Sequence, residues 1–488
     1  MKRLTKKQMW IFAIGQLGWS MLSGIISAWL VAFYLINKDV HDGGVPFLIP
    51  SGLIIGGFLT VLGLITALCR IWDAVTDPMV ANMSDNCKSK HGRRIPFMRW
   101  SAIPFAIITV LVFFAPVSNP GDNFALNIAW VAVFLVLFYT AMTVYCTPYN
   151  ALISEFGKTQ EDRMYISTAI SLTFFAGTLL AYTPFVFAGM LQKAGVAYYW
   201  SYRICFIVLA VIALVCLLIP TFLLKETDFV EAKPAGTDAF KSLAATFKNK
   251  DFRVFSFSDI MYWVGMTLFQ TGLPFFVTVS MHLAESMTMV LMGAMTVLSA
   301  VFYPLVTGLV KKFGKKKLVI AGFFGLALAY VITAISGIVC NDTNNMGLIF
   351  GIAICVIAAM PMALLGIIPQ SIVADVAEAD SIKTGEKREG MFFAARTFAM
   401  KFGQSVAMLS FTSLAIIGQA QDPTSNDISA NPIGLMITAL VAVAFCIAGA
   451  IILMFYREKS VMKTIAKEGD EAFIKAIENE KEPDEKGE

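Results

Sequence analysis

Apolar runs of twenty residues or more return along almost the whole of this chain, each closed by a short polar stretch. A helix of ~20 residues reaches across the ~30 Å hydrocarbon core of a bilayer, so each run reads as a membrane span. We place about twelve spans, at roughly 9–36, 52–84, 95–116, 125–154, 164–190, 199–224, 252–281, 287–310, 317–339, 346–378, 390–420 and 432–456. Composition agrees: 57% of residues are hydrophobic and 15% charged, against ~45–50% and ~25% in soluble domains. The expected fold class is an all-α membrane protein, with twelve transmembrane helices in two six-helix halves. The N-terminus carries Lys2, Arg3, Lys6 and Lys7 ahead of an apolar run too long for a signal-peptide core, so it reads as a retained first span. The eight cysteines form no CxxC pair and lie mostly in apolar runs, which suits buried thiols and neither a disulfide framework nor a metal site.

The net charge of +4 says little, but its distribution sorts the loops. One set is basic: the N-terminus, Lys88 to Arg99, Lys158 with Arg163, Lys248 to Arg253, Lys311 to Lys317, and Lys383 to Arg388. The other holds Asp39, Asp42, Asp122, Glu285, Asp342, Asp422 and Asp427, with Lys38 and Lys193 among its few cations. The positive-inside rule then places both termini in the cytoplasm. The expected division is a six-helix half over 1–224, a cytoplasmic middle loop over 225–251 with Pro234-Ala235-Gly236, a second half over 252–457 and a charged cytoplasmic tail over 458–488. In the tail, Val461, Ile465, Phe473, Ile474 and Ile477 could form one amphipathic helix. The Gly92-containing turn after span two is echoed after span eight by Lys311-Lys312-Phe313-Gly314-Lys315-Lys316-Lys317, a weak internal repeat of the kind duplicated transporters carry.

Within the apolar runs, charge is rare and therefore informative. Span two contains Arg70-Ile71-Trp72-Asp73-Ala74-Val75-Thr76-Asp77-Pro78. A carboxylate at the centre of a membrane helix costs ~2.5–3.5 kcal/mol on insertion scales, so it marks a functional site by default. Asp73 and Asp77, at i and i+4, share one helix face about 6 Å apart, where they repel unless a cation sits between them. The pair suits a proton or a small hard cation; the alternative is that Asp73 pairs with Arg70 and Asp77 ends the helix in water. Asp73 lies ~16 Å from the inner end of its span, and Trp19, Ser20, Thr143 and Lys401 reach the same depth on three other spans. Secondary transporters hold substrate and ion there, between their halves. Lys401 needs a partner at that depth, and the paired acids are the natural one, snorkelling being a strain. Thr397 lies one turn before Lys401 on the same face. Arg396 points a quarter-turn away, either as a clamp for an anionic group or in a structural pair with a rim acid such as Glu155. Asp259, Trp263 and Gln270 share one side of span seven, where a ring and an amide suit a sugar, although packing is the commoner use of a lone Trp.

These residues resemble a known family. Trp72-Asp73-Ala74-Val75-Thr76-Asp77-Pro78 resembles the WDAxxDP signature of the glycoside–pentoside–hexuronide cation symporters of the major facilitator superfamily, of which the melibiose permease is the familiar member. Tyr145-Cys146-Thr147-Pro148-Tyr149-Asn150-Ala151-Leu152 resembles the family's PYxAL segment. Ala374-Asp375, with Thr384-Gly385-Glu386-Lys387-Arg388-Glu389-Gly390, resembles its AD…TGxRxEG loop. Lys401 falls where the family has its span-eleven lysine. The resemblance implies the major facilitator fold, a coupling cation held by Asp73, Thr76, Asp77 and Thr143, and Lys401 linking that site to the sugar. Ser20, Cys146, Arg396 and Thr397 align with positions of the family's sugar site, and with Trp19, Asn150, Trp263 and Gln270 they are the candidate sugar-binding residues. Melibiose-type members carry acids at the positions of Ser20 and Cys146 and a Gln at that of Arg396. Those departures shift the pocket toward positive charge and toward an anionic sugar such as a hexuronide.

The expected function is thus cation-coupled sugar or glycoside symport by alternating access in the plasma (bacterial inner) membrane. The partners would be a sugar, a monovalent cation (Na⁺, Li⁺ or H⁺, with Asp73 and Asp77 as the metal ligands for Na⁺) and the lipid bilayer, in a monomer with no other cofactor and no nucleic acid. The alternatives are an uncoupled facilitator or exporter, in which the two acids are structural, and a non-transporting sensor of the same fold. An enzyme is not expected, since no metal-ligand cluster, nucleophile elbow or phosphate-binding loop appears in the sequence.

Overall fold

The computed structural model describes residues 3–36, 38–52, 55, 59–121, 123–157, 160–229, 246–341, 346–385, 389–418 and 429–465. The expectations placed on Lys2, Asp122, Lys158, 234–236, Asp342, 386–388, Asp422, Asp427 and the tail beyond Ile465 lie outside these residues, as do those on the side chains of Lys38, Asp39, Arg163, Lys311 and Glu389. Helices dominate: α1 (Lys6–Tyr34), α2 (Val61–Asp85), α3 (Ile95–Leu111), α4 (Ala125–Phe156), α5 (Gln160–Ala181, continued by Pro184–Lys193) and α6 (Tyr198–Leu223). After the middle segment follow α7 (Lys250–Phe275, prolonged by a wider turn over Phe276–Ser280), α8 (Met287–Phe313), α9 (Lys315–Val339), α10 (Met346–Thr384), α11 (Glu389–Leu414) and α12 (Pro432–Met454). Among the described residues the sole β pairing is an isolated bridge between Ile55 and Leu59.

Among the described residues, nine helical segments are long and apolar enough to cross a membrane. α3, with 17 residues, is shorter. α2 and α11 also fall outside that set, and they are the helices that carry Arg70, Asp73, Asp77, Arg396 and Lys401. The polarity that lowers their hydropathy is the polarity that marks the site. The second expected span begins later than 52, because Thr60 caps α2 by accepting a hydrogen bond from the Gly63 amide at 3.1 Å. The first opens on a capping box: Thr5 Oγ1 accepts from the Gln8 amide while Gln8 Oε1 accepts from the Thr5 amide at 2.9 Å. The break in α5 follows from Pro184, which has no N–H for the Leu180 carbonyl; Thr183 Oγ1 donates there instead at 2.7 Å. The Trp29 indole donates to the neighbouring Ala181 carbonyl at 2.8 Å, pinning α1 to the break.

The basic turns lie at one end of the bundle and share an arrangement. Glu226, just past α6, is buried, and its carboxylate accepts from the amides of Arg93, Arg94 and Ile95 at 2.9–3.0 Å, capping α3. Glu458, just past α12, does the same for α9, accepting from the Lys315 amide at 2.7 Å and the Lys316 amide at 3.2 Å. A carboxylate at a helix N-terminus satisfies orphan amides and meets the positive end of the helix dipole. A positive-φ glycine precedes each cap, Gly92 at +100° and Gly314 at +81°. A cation from each turn then reaches an acid on the following helix of its group: Arg94 Nη2 to Glu155 at 2.8 Å and Lys315 Nζ to Asp375 at 2.5 Å. The sequence repeat of basic turns is thus a repeat of three-dimensional fastenings.

α2 packs extensively on α11, and α1 on α7. Toward the end opposite the basic turns, α2 and α11 close tightly: Ser405 Oγ donates to the Ala67 carbonyl at 3.0 Å, and a Cβ built on Gly63 would stand 2.1 Å from Thr412 Oγ1. At that same end the Tyr202 hydroxyl of α6 donates to the Glu285 carboxylate at 2.8 Å, across to the turn between α7 and α8.

Candidate functional site

The paired carboxylates of α2 meet the ammonium of α11. Lys401 Nζ stands 2.9 Å from Asp73 Oδ1 and 2.6 Å from Asp77 Oδ2, and it also donates to the Asp73 carbonyl at 3.2 Å. Asp73 Oδ1 accepts in addition from Thr143 Oγ1 at 2.8 Å, and Asp77 Oδ1 accepts from Thr147 Oγ1 at 3.2 Å. The i, i+4 spacing of the acids on α2 is matched by the i, i+4 spacing of the threonines on α4, so two ladders face each other. Arg70 Nη1 lies 3.8 Å from Asp73 Oδ2, with its guanidinium over the Tyr139 ring at 4.7 Å. Both pairings foreseen for Asp73 therefore occur together. Two acids and two cations balance, which a low-dielectric site requires.

The Asp73 side chain has no exposure, whereas that of Asp77, one turn nearer the basic end, is 27% exposed. Asp73 Oδ2 is buried without a hydrogen-bond donor. Carboxylate and hydroxyl oxygens are the donor set that small hard cations prefer. Pro78 follows Asp77 directly and removes the amide that would otherwise bond the Ala74 carbonyl, loosening the helix at its acidic face. Thr76 is buried, but its hydroxyl donates back to the Asp73 carbonyl at 3.0 Å.

The residues expected around a sugar divide. Cys146, Asn150, Trp263, Gln270 and Thr397 are partly or well exposed on α4, α7 and α11. Trp19 is half-buried, tilted against Phe174 at 6.2 Å. Thr397 Oγ1 donates to the Phe393 carbonyl at 3.1 Å. Ser20 does not belong with them. It is 1% exposed, its hydroxyl donates to the Leu17 carbonyl at 3.2 Å, and it packs so close to α5 that a Cβ on Gly177 would meet it at 2.1 Å. A small residue there serves helix packing.

Arg396 stands in a pair with an acid, one of its two expected arrangements, but with Asp259 as the partner. Its Nε donates to Asp259 Oδ2 at 3.0 Å and its Nη2 to Asp259 Oδ1 at 3.3 Å, a two-pronged pair between α11 and α7. Glu155, the expected rim partner, is taken by Arg93 at 2.5 Å and Arg94 at 2.8 Å. The extra positive charge read from Arg396 is thus offset by a carboxylate 1% exposed. Two groups near the site were missed. Thr147 lies inside a quoted motif, and its spacing from Thr143 was the available signal. Gln404, one turn beyond Lys401, has a buried Oε1 without a hydrogen-bond donor.

Lipid-length helices whose few charges converge between two helical groups define a multi-pass membrane protein of the major facilitator fold. The solved D-xylose–proton symporter has this fold, with a TM-score of 0.64 at 14% identity over 93% of this chain and 98% of that one. The chain belongs to the MFS/sugar transport protein family, whose model matches residues 11–458, in keeping with the motifs quoted above. Its similar relatives include the isoprimeverose transporter of Lactiplantibacillus pentosus, 24% identical over 71% of this chain and 70% of that protein. They also include the sodium-dependent lysophosphatidylcholine symporter 1 of Xenopus tropicalis, 24% identical over 85% of each. The family is one of transporters, not enzymes.

Proposed function

We propose that this protein is a cation-coupled symporter for a sugar or glycoside, working by alternating access between halves 1–224 and 252–457 joined by the segment 225–251. The observation that carries the reading is the Lys401 ammonium held between Asp73 and Asp77, at 2.9 and 2.6 Å, where α2 meets α11. With Arg70 fixed beside Asp73, the two carboxylates balance one further monovalent charge. A Na⁺, Li⁺ or H⁺ that enters among Asp73, Asp77, Thr143 and Thr147 therefore competes with Lys401, and displacement frees the ammonium to meet substrate. The tight α2–α11 contact and the Tyr202–Glu285 bond close the end opposite the basic turns. With the basic end in the cytoplasm and both termini there, in the bacterial inner membrane, this is an inward-facing state of a monomer.

For the sugar, the Asp259–Arg396 pair leaves the pocket near neutrality, which favours a neutral glycoside. A hexuronide remains the second reading, because the Arg396 fork is the group that would hold a sugar carboxylate. In reconstituted vesicles, an inward cation gradient should drive accumulation by the wild type. Asp73→Asn should lose accumulation and retain exchange of substrate down its gradient. Accumulation by Asp73→Asn at the wild-type level would refute the coupling role.

A further inference from the structure

We propose that Asp259 is the specificity-determining residue for sugar charge: by occupying the Arg396 guanidinium it keeps the site for neutral glycosides, and without it the site takes sugar carboxylates. The inference rests on the glycoside reading above and names the substrate class of that site. Asp259 lies on α7 with its side chain 1% exposed, whereas Arg396 on α11 is 11% exposed. The acid is therefore enclosed, and the guanidinium is the more exposed partner of the pair. Among the described residues Arg396 hydrogen-bonds to Asp259 alone, through Nε and Nη2. A guanidinium has five N–H donors, so three remain for another acceptor. Trp263, one turn along α7 from Asp259, is half-buried beside them. Arg396 sits five residues before Lys401 on α11.

This is the chemistry of a hydroxyl reader. The free donors of Arg396 bond sugar oxygens, while the carboxylate behind them cancels the field that would otherwise draw an anion. Removing only the carboxylate leaves a bare fork, and removing only the guanidinium leaves a buried negative charge facing the sugar. A merely structural pair makes a different statement: its loss weakens binding of charged and neutral sugars alike, because stability does not discriminate between ligands. The ratio of affinities is the diagnostic quantity. A full charge a few ångströms from the ligand in a poorly solvated site alters that ratio by roughly tenfold or more.

The test is equilibrium binding to the purified full-length protein of two matched probe pairs, phenyl β-glucoside with phenyl β-glucuronide and phenyl β-galactoside with phenyl β-galacturonide. Asp259→Asn should raise the uronide-to-glycoside affinity ratio by roughly tenfold or more, and Arg396→Gln should lower it by a similar factor. The charge-neutral double variant Asp259→Asn/Arg396→Gln should return the ratio to within about twofold of wild type, on the same electrostatic argument. If Asp259→Asn does not fold, Arg396→Gln and the double variant decide. A ratio unchanged in Arg396→Gln, with neutral-glycoside affinity retained, overturns the role of Asp259 and leaves the symporter reading standing. A folded wild type that binds none of the four probes counts against the glycoside reading, and this inference falls with it.

Discussion

Replacing Lys401 with alanine separates a coupling lysine from a packing one. The change strips the ammonium from Asp73 and Asp77, where it makes contacts of 2.9 and 2.6 Å. Arg70 remains, but at 3.8 Å and toward one acid only. Breaking a buried ion pair by removing one partner costs ~3–5 kcal/mol, because the remaining charge stays desolvated. That is a large share of a native stability of ~5–15 kcal/mol. The loss should be recoverable in a way a cavity is not. With the competitor gone, a cation of the right size fills the oxygen cage, and at one hundred times its Kd it restores ~2.7 kcal/mol. Thermal unfolding in detergent, at constant ionic strength with choline replacing Na⁺ or Li⁺, should thus show Lys401→Ala destabilised in choline and rescued by the coupling cation. If that cation is H⁺, lowered pH rescues it instead. The wild type should show the smaller cation shift, since its lysine must first be displaced. A variant indifferent to Na⁺, Li⁺ and pH, or a wild type with the larger shift, would refute the competition.

Thr147→Val removes the hydroxyl 3.2 Å from Asp77; a hydrogen bond to a charged group is worth ~1.5–3 kcal/mol, so half-saturation of uptake by the cation should rise about tenfold or more, and an unchanged value removes Thr147 from the cage. Burial pushes the Glu285 carboxyl from 4.5 up to about 7, against the opposing hydrogen bond from Tyr202. With the folded value raised, its stabilising contribution is complete below 4.5 and is lost as pH rises through about 7. Glu285→Gln should therefore erase an increment of thermal stability that the wild type shows at pH 5 over pH 8, and an undiminished increment would locate it elsewhere. Gly92→Ala places a Cβ 2.3 Å from Glu226 Oε2 at a φ of +100°. It should cost ~1–3 kcal/mol in thermal unfolding, more than Gly314→Ala, where the nearest Glu458 oxygen stands off at 3.2 Å.

The meeting of Asp73, Asp77 and Lys401 was legible because charge in a lipid-length helix is costly, so the three announce themselves and depth alone brings them together. Thr147 carries no such signal. A hydroxyl in a membrane helix can return its hydrogen bond to the preceding turn, as Thr140 does with the Val136 carbonyl at 2.8 Å. The partner of Arg396 was misplaced because depth ranks candidates without orienting them. Spacing groups Asp259 with Trp263 on one side of α7, and nothing in it turns that side toward α11. Ser20 was assigned by alignment, yet rotation of α1 turns it toward α5. Glu226 reads as the first acid of a polar linker, and only the return of the chain to α3 reveals a buried cap.

That cap has a consequence for the order in which the protein is made. The carboxylate that satisfies the Ile95 amide is encoded 131 residues later, and the one that satisfies the Lys315 amide 143 residues later. When α3 and α9 leave the ribosome their leading amides have no protein partner, and each waits until the last helix of its own group has emerged. Each group of helices is therefore fastened by an acid that follows its last helix, the first by Glu226 while the second group is still unwritten. A chain cut within 230–245 would leave each fragment in possession of its own seal.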